Sequence, residues 1–195
     1  IMEDTCKDLN LLSSGKRLWR WEALRRLTDS APPKLLRLAA LSCLDDPYDH
    51  IRATAVDALA SCANRRDINS LLRMSHDSSP SVRASAADAL SRFDTPKVQR
   101  RLVEMLSDPH RLVRSWAASA VASGMRSKGA IELLLYRLAA EEDDYVRLGL
   151  YGAMVECGAQ QYRSQIEAYV NHKDGLVHAF AVSLLRRLAE EESVE

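Results

Sequence analysis

Small and large apolar residues recur along this chain with helical spacing. Ala55, Ala58 and Leu59 are matched by Ala86, Ala89 and Leu90, and again by Ala117, Ala120 and Val121. Steps of three and four keep each set on one face of a helix, where the alanines let neighbouring helices approach and the larger residue fills the core. Ahead of each set stands an apolar residue followed by a basic one: Ile51-Arg52, Val82-Arg83, Val113-Arg114, Val146-Arg147 and Val177-His178, at intervals of 31, 31, 33 and 31 residues. A period of this length marks a repeat architecture.

A second helix is predicted in every period. Leu41, Leu72 and Val103 recur eleven residues before the basic position, preceded by Ala40, Leu71 and Leu102. Between the two helices lie Asp46, Asp77 and Asp108, six residues before the basic position, with Pro47, Pro80 and Pro109 close behind to end one helix and start the next. Either helix pair alone would leave its apolar stripe wet, so the units are expected to stack.

The segments DPYDHIRATAVDALASC, SSPSVRASAADALSRF and DPHRLVRSWAASAVASG resemble HEAT repeats of the short HEAT-like class, and the resemblance covers roughly residues 30 to 190. It implies an all-α fold, a right-handed α-solenoid of about five to six helical hairpins, with first helices on the convex side and second helices lining the concave side. The whole chain, 1–195, reads as one repeat domain: a degenerate capping repeat at 1–29, repeats at 30–62, 63–94, 95–125, 126–158 and 159–190, and an acidic tail at 191–195. Residues 17–28 align as a second helix with Arg17 at the basic position and Ala23-Leu24 opposite Ala58-Leu59. In that register Arg20 falls where Ala55 and Ala86 sit, giving an N-terminal cap with one polar side. In the last helix Leu184 replaces the small alanine and His178 the arginine, as expected of a terminal repeat facing water.

Composition narrows the function. The 27 basic and 27 acidic residues cancel, so the chain lacks the positive field that draws proteins to nucleic acid or anionic membranes. Cys6, Cys43, Cys62 and Cys157 form no CxxC pair, a pattern expected of reduced thiols in the cytoplasm. No apolar run is long enough for a membrane span. His50, His76, His110, His172 and His178 make neither an HExxH nor a His-Glu dipeptide, so the di-iron site of the HEAT-repeat deoxyhypusine hydroxylases is absent; P-loop, GxGxxG and GxSxG sequences are absent too. No catalytic residue, metal or cofactor is expected.

The recurrent Asp and Arg read as ties between repeats rather than as a binding ladder. Recognition is expected at variable positions with no packing duty. The second residue after the basic position reads Trp19, Thr54, Ser85, Trp116, Gly149 and Phe180; the fifth reads Glu22, Asp57, Asp88, Ser119, Gly152 and Ser183; the ninth reads Arg26, Ser61, Arg92, Ser123, Glu156 and Arg187. A mixed-charge concave face with aromatic anchors, formed by Trp19, Glu22, Asp57, Asp88, Arg92, Trp116 and Phe180, suits a protein or peptide partner carrying basic groups. Against this stand a structural reading, in which Trp19 and Phe180 close the two ends and the acids are solvated, and two other functions. HEAT-like alkylpurine DNA glycosylases use concave aromatics with an acid, which Trp19, Trp116 and Asp57 or Asp88 could imitate, but zero net charge argues against nucleic acid. Bilin lyases and related chromophore-handling proteins share these short repeats, and no residue here singles out their chemistry.

Overall fold

The computed structural model describes residues 2–125 and 128–192. Residues 126 and 127, at the boundary read between repeats 95–125 and 126–158, and residues 193–195 of the acidic tail lie outside the described residues. Twelve α-helices and no strand occur among the described residues. They fall into two compact units, 1–93 and 94–195, divided where the repeat read as 63–94 gives way to the next.

Unit 1 holds α1 (Met2–Leu11), α2 (Arg17–Ser30), α3 (Pro33–Ser42), α4 (Asp49–Cys62), α5 (Ile68–Met74) and α6 (Pro80–Leu90). Unit 2 holds α7 (Pro96–Met105), α8 (Arg111–Met125), α9 (Lys128–Ala139), α10 (Asp144–Glu156), α11 (Arg163–Ala168) and α12 (Gly175–Glu192). In unit 1 the second helices stack as α2 on α4 on α6, and in unit 2 as α8 on α10 on α12; each also packs on the first helix of its own pair. The alanine rows do what their size allows: Ala55, Ala58, Ala86, Ala89, Ala117, Ala120 and Ala153 are buried, as are Leu59, Leu90, Val121 and Met154 behind them. Proline at the first helical position starts α3, α6 and α7, where a missing N–H costs no hydrogen bond.

The basic position ties helix pairs together in a repeated geometry. Arg52 Nε and Nη2 donate to Asp77 at 2.8 and 2.7 Å while Nη1 donates to the Asp46 carbonyl at 2.8 Å. In unit 2 Arg114 donates from Nε and Nη2 to Glu141 at 2.9 and 3.0 Å and from Nη1 to the Asp108 carbonyl at 3.0 Å. The same carboxylates shape the turns before the second helices, accepting N–H bonds from two residues on: Tyr48 to Asp46, Ser79 to Asp77, His110 to Asp108 and Asp143 to Glu141. Glu141 thus fills the aspartate position of its repeat from within the charged linker 139–144; its extra methylene hid it from a search for aspartate.

The register read for the first second-helix is corrected by one turn. Arg20, not Arg17, is the basic position: it is buried, its Nε donates to Asp46 at 2.7 Å and its Nη1 to the carbonyl six residues back, Ser14, at 2.7 Å, repeating the geometry of Arg52. Ala23 and Leu27 then match Ala55 and Leu59, and both are fully buried. Two apolar frames three residues apart both fit this short helix, and only the position of Asp46 chooses between them. In the correct frame Trp19 stands at the place of Ile51, and Glu22 at the place of Trp116.

At the other end, His172 takes the aspartate position and keeps only its turn role, accepting the Asp174 N–H at 3.1 Å. Gly158, at φ +92°, closes α10 with a Schellman pair: Gly158 N–H to the Val155 carbonyl at 2.8 Å and Ala159 N–H to that of Met154 at 3.0 Å.

Candidate functional site

The exposed face of the second helices carries the variable rows. In unit 2 the row two residues past the basic position runs Trp116 on α8, Gly149 on α10 and Phe180 on α12, two rings on either side of a position with no side chain. The result is a pocket of about 190 Å³ with both rings in its lining. Trp116 remains 44% exposed, which makes it wall rather than core. Phe180 is half-buried, packed against the cluster of Leu148, Val177 and Ala181.

Tyr145 completes the aromatic wall. Its ring lies 4.7 Å from that of Phe180, and the Arg111 guanidinium sits 5.4 Å from its centroid on the way to Asp143, 3.8 Å off. Burial raises its phenol pKa; the nearby Arg111 opposes that and Asp143 adds to it. Sequence reasoning missed Tyr145, which precedes the basic position by two and belongs to a row otherwise occupied by His50, Ser81, Leu112 and Leu176. Its being the one aromatic in that row was the available signal.

Two glycines set the floor, and both are forced by packing. A Cβ on Gly149 would lie 2.6 Å from Ser115 Oγ, and one on Gly152 would lie 2.7 Å from Leu184 Cδ2. Gly152 thereby makes room for the leucine that replaces the usual small residue on α12. At one end of the pocket Arg187 pairs with Glu156 across α10 and α12, so the lining carries both charges and no net one.

Unit 1 presents a different surface. Asp57 on α4 faces Ser85 and Asp88 on α6. Asp57 keeps solvent contact, yet partial burial raises its carboxyl above the ordinary aspartate value; a Ser85 hydrogen bond pulls it down and Asp88 pushes it further up. Glu22 is engaged within α2, accepting from Arg26 at 3.0 Å, while Arg26 also reaches Asp8 of α1 at 2.6 Å. Arg92 lies exposed just beyond α6, and Trp19, 47% exposed, carries the Lys16 ammonium 4.2 Å above its ring. Of the sequence candidates, Trp116 and Phe180 line one pocket and Asp57 lies beside Asp88, while Trp19 carries Lys16, Glu22 accepts from Arg26 and Arg92 is exposed.

A polar cluster occupies another surface of unit 2: Tyr169 donates to Asp144 at 3.3 Å, and His172 Nε2 lies 3.2 Å from the same carboxylate. Among the described residues no group of three or more His, Cys, Asp or Glu is placed to hold a metal ion, and no helix is long and apolar enough to cross a membrane.

Comparison with known proteins agrees with this geometry. The family model for HEAT repeats matches residues 37–122. Residues 37–122 carry HEAT repeats. Among solved structures the chain is similar to an engineered protein (18% identity, 96% of this chain and 97% of the other, TM-score 0.53) and to the complex of CpcE and CpcF of phycocyanin lyase from Nostoc sp. PCC7120 (19% identity, 79% and 99%, TM-score 0.63). At these identities the likeness shows the fold alone, an all-helical α-solenoid. No curated protein matches the sequence.

Proposed function

We propose that this HEAT-repeat protein is a non-enzymatic binding module that holds a segment of another protein on the exposed face of its second helices. The observation that carries the reading is Trp116. A tryptophan 44% exposed on the rim of a pocket leaves apolar surface in water without a packing return, and such residues are the common anchors of protein interfaces. Phe180 and Tyr145 extend that surface in residues 94–195; in residues 1–93 the Asp57–Asp88 pair offers negative charge to a basic stretch of partner. The repeat fold itself supports a scaffold role, because exposed positions of stacked helices vary without disturbing the core.

The test is capture from native lysate on immobilised chain, with and without nuclease, comparing the intact protein with Trp116→Ala. Retention of a stoichiometric protein that survives nuclease and is lost with the variant is the expected result. Retention of nucleic acid alone, or of the same proteins by both chains, overturns the reading.

A further inference from the structure

The pocket between Trp116 and Phe180 has in its lining a serine hydroxyl that bonds no other described side chain or carbonyl. Ser115 is 7% exposed, and its hydroxyl lines the pocket. Among the described residues it has no hydrogen-bond partner. A ligand that covers this hydroxyl without bonding it leaves it unpaired at a cost, and a ligand with a polar tip avoids that cost. Mid-helix serines ordinarily bond back to a carbonyl one turn earlier, as Ser42, Ser61 and Ser91 do near the ends of their helices. Ser115 instead points across to α10, where its Oγ lies against Gly149, 2.6 Å from the place a Cβ there would take.

Resting on the reading of this face as protein-binding, we infer that the pocket accepts a single tyrosine side chain of the partner, its ring between Trp116 and Phe180 and its phenol hydroxyl bonded to Ser115. Four observations converge on that chemistry. A volume of about 190 Å³ falls below the range of about 300–1,000 Å³ of small-molecule clefts and suits one side chain. The flanking aromatic walls favour a ring that packs offset or edge-on against them. The Glu156–Arg187 pair leaves no net charge in the lining, and Arg111 already occupies the face of Tyr145, so a cationic side chain gains nothing over a neutral one. The unpaired hydroxyl on the floor requires a polar tip, which phenylalanine and leucine lack.

The inference is tested on the full chain with N-acetyl-tyrosinamide, N-acetyl-phenylalaninamide and N-acetyl-argininamide, following the Trp116 indole resonance, assigned by its loss in Trp116→Ala. The tyrosine amide is expected to bind about three- to tenfold more tightly than the phenylalanine amide, the scale of one net hydrogen bond. Ser115→Ala should erase that difference. Equal binding of the two amides to the intact chain, a preference that survives Ser115→Ala, tighter binding of the arginine amide, or no shift at Trp116 overturns the inference. If Ser115→Ala does not fold, the comparison of amides on the intact chain decides alone. The protein-binding reading fails separately: it falls if lysate yields no Trp116-dependent partner even where the amides discriminate, and it stands if a partner is captured while the amides do not.

Discussion

The Arg52–Asp77 pair has side-chain exposures of 13% and 9%, so neither charge is free to rehydrate if its partner is removed. Burial alone would raise the Asp77 carboxyl, but the Arg52 guanidinium and the Ser79 N–H outweigh it and hold the group below its ordinary value. Arg52→Ala is expected to cost about 3–5 kcal/mol of stability, the range for leaving one member of a buried pair uncompensated, as measured by denaturant unfolding. Loss under 1 kcal/mol would mean that Asp77 is served well enough by its turn. Asp57 has the opposite sign. Its carboxyl is raised by partial burial, by more than the Ser85 bond recovers, so ionisation opposes folding above the ordinary aspartate range. Asp57→Asn should therefore stabilise the protein at neutral pH, and the gain should vanish as pH falls through that range, where both folded and unfolded chains bind the proton. A variant less stable at pH 7 would show that Asp57 is held by an attractive contact instead.

At the scale of helices, close approach decides what the second-helix layer can hold. Gly152→Ala drives a Cβ to within 2.7 Å of Leu184 Cδ2, and overpacking of this kind costs about 1–3 kcal/mol. The leucine tip is flexible, so Gly152→Ala combined with Leu184→Ala should recover part of the loss, and the double-mutant coupling in thermal unfolding measures it. Strict additivity would separate the two positions. Trp116 lies on the same layer but faces outward. Trp116→Ala should leave stability within about 0.5 kcal/mol and weaken the partner by about 2 kcal/mol or more, read by calorimetry once a partner is in hand. A large drop in melting temperature would place Trp116 in the core. Helix periodicity, alanine rows and turns were legible here because they repeat. The register of α2 was not, since Ala23-Leu24 and Leu27 satisfy two frames three residues apart.

For the whole molecule, the pairs Arg20–Asp46, Arg37–Asp67, Arg52–Asp77 and Arg114–Glu141 place four carboxylates below their ordinary values against the pull of burial. Groups with depressed folded pKa contribute stability that is full above the unfolded value and is lost as pH falls through the folded one. Midpoint stability should thus hold from neutral pH down to the ordinary carboxylate range and collapse below it, at and under about pH 4; a chain equally stable at pH 3 would contradict the ladder. Of the candidate surface, the sequence revealed the rows and their aromatic residues. It marked Tyr145 only as the one aromatic of its row, and it concealed Ser115, whose row gives no sign that its hydroxyl lies against Gly149.

Periodicity by itself determined that the chain folds as stacked helix pairs, because offsets of three and four commit apolar residues to one face and a 31-residue return commits each face to the next. It also determined that the recurrent Arg and Asp serve the fold, since charges fixed at one place in every repeat have the same neighbours in each. Only the tertiary structure decided which basic residue begins the ladder, that Glu141 carries it forward, and that Trp116, Phe180 and Ser115 share one pocket. These depend on distances between helices about 30 residues apart in sequence, and a pattern read along one helix contains no measure of the gap across to its neighbour.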